Sequence, residues 1–524
     1  MDEKRSVTKA AGQISIATTA SRILGFIRDI LLAGIFGATG STDAFFIAYR
    51  IPNLFRELFA EGSMSAAFVP VFTETLAKQG REEARKLASA VLAFLLCVLS
   101  ITCLLGILFA PYVVSIIAPG FIDYPEKFSL TVTLTRIMFP FLFFISLAAL
   151  AKGVLNSLKS FFVPALAPVF LNIAIIISAI FVAPWFKVPL IAIGLAVSVG
   201  GALQVAIQIP DLIKRYFLVR PVFSFRHPGL KKVLRLMLPA IVGMGVAQIN
   251  IFISTVFVSF LAGGAATYLY YAMRFVHLPV GIFGVSMATA VLPSLSEQAS
   301  RGDTDALRDT FSFSLRLLFF ITLPAMAGLI ALSEPIIQVL LQRGEFTAKA
   351  TAETAYALMF YSTGLWAFVG TRIVASTFYS LQDTKTPVKI AAVSVAANIV
   401  FSFILMGPLR HGGLAFANAI ASAINFILLF HFLRKRLGRV DGRKIIYSFI
   451  KTGVAALLMG AAGYFSIKQL MWNNAANVFE KAGILAGVIV LCTGIYILIM
   501  YLMKSEELGY LIQMRKKKIS GGEK

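Results

Sequence analysis

The sequence predicts an all-α polytopic membrane protein. Of its 524 residues, 58% are hydrophobic and only 14% are charged, and the mean hydropathy is +0.84. Soluble domains carry about 25% charged residues. Apolar runs of about 20 residues, long enough to cross a bilayer as a helix, recur along the whole chain. These observations exclude an ordinary soluble enzyme.

The charge balance supports a membrane location. The chain has 48 Lys and Arg against 25 Asp and Glu, a formal charge of +23. In a soluble chain this excess would indicate nucleic-acid binding, but here it lies largely between the hydrophobic runs. Membrane orientation and contact with anionic lipid headgroups explain it better. We therefore expect membrane lipids, and no nucleic acid, as partners.

We predict about fourteen transmembrane helices from the apolar runs. In chain order the predicted spans are 14–36, 42–76, 85–110, 128–155, 162–182, 190–211, 231–260, 266–296, 308–332, 350–378, 386–406, 411–433, 444–467 and 480–503. Cys97, Cys103 and Cys492 all lie inside such runs without metal-ligand spacing, so we interpret them as packing residues.

Lys and Arg concentrate in every second loop, most densely in 214–232 and 434–444, while the alternate loops contain few. Cytoplasmic loops are the ones enriched in these residues. The chain before the first span and the C-terminal tail belong to the basic set. Both termini are therefore predicted to be cytoplasmic.

An internal repeat with a nearly constant offset connects the two halves of the chain. The paired positions share a shift of 223 or 224 residues: Ala48 with Ala272, Arg50 with Arg274, Pro70 with Pro293, Glu74 with Glu297, Ser157 with Ser380, Leu158 with Leu381 and Pro164 with Pro387. Chance similarity among apolar helices is the alternative, but matched charges and prolines make the repeat the better interpretation.

Each repeat contains an even number of spans, so the two copies have the same orientation. Parallel repeats related by an axis along the membrane normal are a known transporter plan, with the substrate site between the halves. We predict two parallel lobes of about six helices each around a central cavity. The predicted division is 1–220 for the N-lobe, 221–440 for the C-lobe and 441–524 for two extra C-terminal helices with a basic tail.

Four arginines stand out because they lie in segments otherwise apolar enough for the bilayer: Arg22, Arg28, Arg56 and Arg274. Such charges cost roughly 2.5 kcal/mol or more each, so they usually face a bundle interior or a water-filled cavity. The compensating ligand that we favour is an anion. The guanidinium fork pairs bidentately with phosphate, which predicts a phosphate or diphosphate group in an arginine-lined cavity.

A structural alternative stays open for these charges. Asp29, Asp43, Glu57 and Glu61 would then neutralise the arginines, and Arg50 and Arg56 would reach a membrane surface from a helix end. Asp43 follows the short link GATGST, so it equally suits a helix cap.

Two further residues on the predicted lining helices have more than one interpretation. Gly25 lies between Arg22 and Arg28 and is a hinge candidate, although glycine in a membrane helix often means only close packing. His277 suits either proton coupling or a structural role.

The chain has no Walker A sequence, no paired-Cys metal site and no Ser-centred elbow, so we expect a transporter rather than an enzyme, without a cofactor. Energy would come from the membrane potential, a monovalent cation or the substrate gradient. For a diphosphate with two negative charges, an inside-negative potential of 100 mV favours outward movement by about 4.6 kcal/mol.

Several motifs resemble a known family: SRILGFIRD, TDAFFIAYRIPNLFRELFAEG, the AFVP that follows, YYAMRFVHLP and QDTKTPVKIA. They are similar to the MurJ (MviN) lipid II flippases of the multidrug/oligosaccharidyl-lipid/polysaccharide (MOP) exporter superfamily, over nearly the whole chain. The resemblance implies transport of undecaprenyl-diphosphate disaccharide-pentapeptide from the inner to the outer leaflet of the bacterial inner membrane. It further implies a role in peptidoglycan synthesis, cell wall biogenesis and cell shape, with lipid II and cell-wall synthesis proteins as partners.

The resemblance also implies functional residues. The important charges of the family fall on Arg22, Arg28, Asp43, Arg56 and Arg274, with Asp29 in the substrate region as well. Two positions depart from some relatives: Met273 stands where they have an acid, and Glu57 where they have a second basic residue. A sodium site occurs in part of the family; Asp383 is our candidate ligand, and we assign no metal site.

Two other functions remain alternatives to a flippase. A multidrug cation exporter of the same superfamily would require acids rather than arginines at the cavity centre. A non-transporting scaffold for cell-wall assembly would use the charges only for helix packing and partner contacts.

The predicted orientation can be tested with an epitope tag on either terminus. Because both termini are expected in the cytoplasm, membrane-impermeant antibody should label neither tag in intact cells and both after permeabilisation. The same tag in the loop between 467 and 480, predicted to be external, is the control. Labelling of a terminal tag in intact cells would refute the orientation.

Overall fold

The computed structural model describes residues 2–58, 64–223, 226–469 and 477–520, and in these ranges all regular secondary structure is helical. In chain order the helices are α1 (Asp2–Phe36), α2 (Gly40–Arg56), α3 (Met64–Leu108), α4 (Ala110–Ile117), α5 (Pro125–Ser157), α6 (Phe162–Ile177), α7 (Pro189–Ala206), α8 (Ile209–Lys214), α9 (Pro228–Ser259), α10 (Ala265–Pro279), α11 (Ser286–Ser300), α12 (Thr304–Ala331), α13 (Ser333–Leu341), α14 (Ala348–Ser362), α15 (Leu365–Ser380), α16 (Lys385–Leu437), α17 (Gly442–Gln469), α18 (Val478–Leu502) and α19 (Glu506–Ser520). The all-α fold class is thereby confirmed.

The two longest helices each extend into two predicted spans: α3 covers the end of 42–76 and most of 85–110, and α16 covers 386–406 and 411–433. In α3 the helical geometry breaks at Gly80, whose φ is 86°. In α16 it breaks at Arg410, whose φ is 51°. Both φ values lie in the left-handed region that an α-helix does not use. Each break falls between two predicted spans.

The two parts of α16 run antiparallel. Ser394 Oγ donates to the carbonyl of Ala421 at 2.8 Å, across the break. Closer to the turn, a Cβ on Gly413 would lie 2.1 Å from the carbonyl oxygen of Leu405. Glycine is therefore required where the two backbones approach, and the chain reverses direction here as the sequence predicted.

Within the described ranges, nine helices are long and apolar enough to cross a membrane, or up to ten when α14 and α15, bent by 40°, count as one span. This number is smaller than the predicted one partly because α16, which covers two predicted spans, is counted once. It is also smaller because charged residues interrupt α1, because α2 has only 17 residues, and because only Gln248–Ser259 of α9 counts as a shorter apolar helix. The count of about fourteen stays a prediction.

The first compact unit comprises Met1–Thr267 with Arg343–Phe346. Its core includes Phe68, Phe72 and Phe217, all fully buried. Helix α9 belongs to this unit because polar contacts tie it to α2 and α3. Arg50 donates to Thr255 at 2.8 Å, Lys232 to Glu74 at 2.6 Å, and Gln248 to Glu57 at 2.6 Å.

The second compact unit comprises Tyr268–Gln342 with Thr347–Lys524. Helix α12 packs against α17 through Phe319 and Phe449, whose ring centroids are 5.0 Å apart. Glu507 on α19 accepts from Arg316 at 3.1 Å and from Ser448 at 2.9 Å, which fixes the start of α19 to the bundle. The predicted division at 220 and 440 describes the sequence repeat and stays a prediction.

Matched backbone features support the repeat. Lys159 and Gln382 are related by the 223-residue shift, and both have positive φ, 61° and 58°. In the first unit, Arg215 donates to the carbonyl of Leu158 at 3.0 Å. In the second, Arg436 donates to the carbonyl of Leu381, the matched position, at 3.4 Å. In each unit an arginine from a later helix therefore caps the same helix end.

The two halves also share a π-helical turn. Glu57 and Leu58, at the end of α2, have π-helical hydrogen bonding, and so does Val280–Val285 after α10. Under the 224-residue shift, Glu57 matches Gly281, inside the second turn. Since π-helical turns are rare and concentrate at functional sites, their shared position supports duplication of one unit.

Asp383 allows a test of the contact in which Arg436 caps the end of α15 in the second unit. Its carboxylate accepts from the backbone and hydroxyl of Thr386 at 3.0 and 2.8 Å and from Arg436 at 2.6 Å. The Thr386 backbone hydrogen bond is the largest cause that lowers the pKa of Asp383, and the Arg436 charge adds to it. A carboxyl group whose pKa is lower in the folded state than in the unfolded state stabilises the fold at pH values above its unfolded pKa, about 4. This stabilisation is lost as the pH falls below that value.

We expect Asp383→Asn to lower the unfolding temperature at neutral pH, with a free-energy loss of about 1.5 kcal/mol or more for the charged hydrogen bonds. Below about pH 4 the difference from wild type should shrink. Thermal unfolding of the purified protein measures both. Asp305→Asn is the control because that side chain is 87% exposed. An equal loss at both pH values would contradict the assigned cause.

Candidate functional site

Arg28 is buried within the first unit and forms an ion pair there. Its Nε and Nη2 donate to Asp29 Oδ1 at 3.0 and 2.6 Å. The two side chains are only 8% and 4% exposed. Because a buried unpaired charge is costly, Asp29 offsets most of the cost of Arg28. Asp29 thus neutralises Arg28, as the alternative interpretation of these charges predicted at this position.

Asn172 on α6 completes the arrangement, and the sequence prediction missed it. Arg28 Nη1 donates to Asn172 Oδ1 at 2.9 Å, and Asn172 Nδ2 donates to the carbonyl of Ser21 at 3.2 Å. The amide therefore bridges two turns of α1. The sequence feature that could have indicated Asn172 is that it is a single Asn inside the apolar run FVPALAPVFLNIAIII.

Arg22, nearly two turns before Arg28 on α1, is exposed. The predicted lining thus holds one paired and one exposed cation in this helix. Gly25 lies between them, and α1 is helical through it. A Cβ on Gly25 would lie 3.7 Å from Asn172, an ordinary contact. Alanine therefore fits this position sterically, and the hinge stays a prediction.

Arg56 lies at the end of α2, next to the π-helical turn. Its Nε donates to Asn53 at 2.7 Å, and its guanidinium is 3.7 Å from the carboxylate of Glu57. Both side chains are partly exposed, so the pair is weaker than the one at Arg28. Glu61 lies outside the described residues.

Asp43 is almost fully buried and accepts four hydrogen bonds. The donors are Lys127 Nζ at 3.1 Å, the backbone of Gly264 at 2.7 Å, and the backbone and hydroxyl of Thr267 at 2.9 and 2.8 Å. Thr39, rather than Asp43, is the N-cap of α2. The structure thus gives Asp43 a tie between the starts of α2 and α10. Its contact with substrate stays a prediction.

In the second unit, Arg274 on α10 has an aromatic partner. Its guanidinium carbon lies 5.0 Å from the centroid of the Tyr270 ring, and its Nη2 donates to the Tyr270 hydroxyl at 2.7 Å. The hydrogen bond and the ring contact together orient the guanidinium on the face of α10 that carries Tyr270.

Arg372 on α15 is a cation that the sequence prediction missed. Its side chain is exposed, and among the described residues it forms no ion pair. A Cβ on Gly284 would lie 3.5 Å from Arg372 Cδ, which places the arginine beside the π-helical turn after α10. His277 is also exposed and lies within electrostatic range of Arg274 and Arg372. Arg274 and Arg372 form what we call the unit 2 cation cluster, and His277 lies beside it.

The sequence contains a feature that indicates Arg372. This residue interrupts the apolar stretch LWAFVGTRIVASTFYS in the same way that Arg28 interrupts α1. The predicted meeting of Arg22, Arg28 and Arg274 around one diphosphate stays a prediction.

The described residues contain no group of three or more His, Cys, Asp or Glu side chains able to hold a metal ion. Asp383, the sodium candidate, has its carboxylate engaged by Thr386 and Arg436. Its role as an ion ligand stays a prediction.

Sequence comparison identifies relatives of one kind. A sequence model of the family "Lipid II flippase MurJ" matches residues 32–483. The lipid II flippase MurJ of Burkholderia cenocepacia is 37% identical over 495 residues, covering 94% of this chain and 96% of the relative. The probable lipid II flippase MurJ of Vibrio cholerae is 35% identical over 497 residues, covering 94% and 95%.

Structure comparison agrees. A solved lipid II flippase MurJ in an inward closed conformation superposes with a TM-score of 0.79 at 30% identity, covering 94% of this chain and 98% of that one. An inward-facing multidrug resistance MATE transporter of the MOP superfamily gives 0.64 at 15% identity, covering 83% and 99%. The second likeness shows a shared fold alone.

The buried pair of Arg28 and Asp29 can be tested by stability. Asp29→Ala removes the carboxylate that neutralises a buried cation, so we expect a loss of about 3 kcal/mol or more. Adding Arg28→Ala should recover part of it, because the uncompensated charge is then removed. Thermal unfolding of the purified protein measures both. The exposed pair Glu297–Arg301 is the matched control, with losses of about 1 kcal/mol or less. Strictly additive effects of Asp29→Ala and Arg28→Ala would contradict the coupling.

Proposed function

This chain belongs to the lipid II flippase MurJ family, and we propose on that premise that it moves lipid II from the inner to the outer leaflet of the bacterial cytoplasmic membrane by alternating access. It is a multi-pass membrane transporter. The cargo is a polyprenyl diphosphate that carries a disaccharide-pentapeptide for peptidoglycan synthesis. The chain itself acts on no covalent bond in this scheme.

The observation that carries the proposed mechanism is the distribution of cations. Helix α1 offers the exposed Arg22 nearly two turns from the paired Arg28. The unit 2 cation cluster offers Arg274 and Arg372. A diphosphate with two negative charges offsets the cost of such residues in an apolar bundle, and an organic cation would increase it. The multidrug exporter alternative is disfavoured for this reason.

Roles in the second unit follow from the contacts. Arg274 contacts the diphosphate, because the hydrogen bond and ring contact with Tyr270 orient its guanidinium, a group that pairs with phosphate. Arg372 also contacts the diphosphate, because its side chain is exposed and lies beside the same π-helical turn.

In the first unit, Arg28 contributes charge from a fixed position, since Asp29 and Asn172 orient its guanidinium. Asp29 is a positioning residue, because its carboxylate would repel the cargo. Asn172 is one because its amide is held between Arg28 and the carbonyl of Ser21. Arg22 and Arg56 add to the positive potential that attracts it.

Orientation and energy complete the proposal. Both termini face the cytoplasm, as the distribution of Lys and Arg predicts. The inside-negative potential drives the anionic diphosphate outward, by about 2.3 kcal/mol per charge for 100 mV. A monovalent cation moving inward is the alternative source of energy.

Lipid II binding by purified protein in nanodiscs tests the mechanism. We expect Arg274→Gln and Arg372→Gln each to weaken binding about tenfold or more, because each removes a charge-assisted hydrogen bond. Arg274→Lys should recover part of the loss. Arg136→Gln is the matched control, because this arginine lies on α5 in the first unit and donates to the carbonyl of Ile107 there. The same protein in liposomes under an imposed potential measures translocation.

Three outcomes would contradict the proposal. Unchanged lipid II binding by folded Arg274→Gln and Arg372→Gln would remove these residues from the site. Equal affinity for an organic cation would favour the multidrug exporter. Absence of both activities in the wild type would favour a scaffold for cell-wall assembly.

A further inference from the structure

A cavity of about 940 Å³ lies in the first unit, on the side that the sequence predicts to be cytoplasmic. Its walls are the start of the second part of α3 and the connection between α8 and α9. The lining includes four cations, Arg85, Lys86, Arg220 and Arg226, against the single carboxylate of Glu82. None of these residues belongs to the proposed diphosphate site.

The connection between α8 and α9 is anchored at its start although it is not helical. Phe217 is fully buried in the core cluster beside Phe72, with ring centroids 5.5 Å apart. The guanidinium of Arg85 donates to the carbonyl of Tyr216 at 2.5 Å and lies 5.9 Å from the Phe217 ring centroid. Arg81 donates to the carbonyl of Arg215. These contacts fix the connection on α3.

The residues on either side of Phe217 are exposed. Tyr216 lies in a turn, with a φ of 54°. Tyr216 is 81% exposed and Leu218 42% exposed, and both line the cavity. Val222, a further apolar lining residue, is 54% exposed. The cavity therefore presents exposed apolar side chains directly beside an excess of positive charge.

This combination selects the chemistry of the ligand. A soluble anion would leave the apolar wall in contact with water, and a neutral lipid would leave the positive charge of the cavity uncompensated. An anionic lipid satisfies both surfaces, since its phosphate pairs with Arg and Lys and its glycerol and upper acyl carbons cover the apolar residues. Basic pockets between membrane helices on the cytoplasmic side bind anionic headgroups in this way.

We propose that this cavity binds the phosphodiester headgroup of an anionic glycerophospholipid from the cytoplasmic leaflet. Arg220 and Arg226 hold the phosphate, because both line the cavity with exposed side chains. Arg85 shapes the site through its hydrogen bond to Tyr216. Tyr216 and Leu218 cover the region where the headgroup joins its acyl chains.

The test measures binding of phosphatidylglycerol, with phosphatidylcholine for comparison, by native mass spectrometry of the full chain. We expect Arg220→Gln with Arg226→Gln to weaken phosphatidylglycerol binding roughly 25-fold, at about fivefold per charge removed. The matched control is Arg434→Gln with Lys435→Gln, which removes two exposed cations on the same predicted side of the membrane but in the second unit. The control should bind as wild type does.

Two further measurements are needed. One distinguishes a lipid phosphate from a free phosphate, and the other distinguishes this cavity from the proposed diphosphate site. Glycerol phosphate and inorganic phosphate should not compete, because they cannot cover Tyr216 and Leu218. Arg274→Gln should retain phosphatidylglycerol binding even if it loses lipid II, so failure of this proposal is distinguishable from failure of the transport mechanism. Equal weakening by the control pair, equal binding of phosphatidylcholine, or full competition by free phosphate would each overturn the inference.

Discussion

A buried carboxylate, that of Asp43, holds together three parts of the first unit that are distant in sequence. It joins the first turn of α2 to Lys127 on α5 and to the start of α10 at Gly264 and Thr267. An ionised group without water must be satisfied by hydrogen bonds or an opposite charge, and here both are present. Asp43 and Thr267 are also matched positions under the 224-residue shift, so equivalent helix starts meet at this point. A Cβ on Gly263 would lie 3.5 Å from the backbone of Gly40.

The two units treat their cations differently. In the first, Arg28 is buried and its charge is offset by Asp29, with Asn172 fixing the orientation. In the second, Arg274 rests on an aromatic ring and Arg372 is exposed. The first arrangement compensates a buried charge within the bundle. Under the proposed mechanism, the second unit supplies the cations that contact the anionic cargo.

Much of the fold was predictable from sequence because the signals are local. Apolar length and the repeat depend on residues counted along the chain, and within the described ranges the predicted spans fall mainly on helices. The reversal at Arg410 follows from the same counting. The site was less predictable: Arg22, Arg28 and Arg274 stand out in apolar runs, but Asn172 acts only because α6 packs on α1. Similarly, the partners of Asp43 at Gly264 and Thr267 come from the far end of the first unit, and no local pattern contains that information.

The shared π-helical turns have a mechanical consequence. A π-helical turn accommodates one more residue than an α-helical turn, and the helix beyond it is rotated by about 100° relative to an uninterrupted helix. The extra residue can pass along a helix with little loss of hydrogen bonding, because each step exchanges one backbone partner for its neighbour. The helix that contains Arg56 and the one that contains Arg274 each have such a turn at an equivalent point of the repeat. Migration of the extra residue by one position would rotate the side chains that it passes without bending the helix.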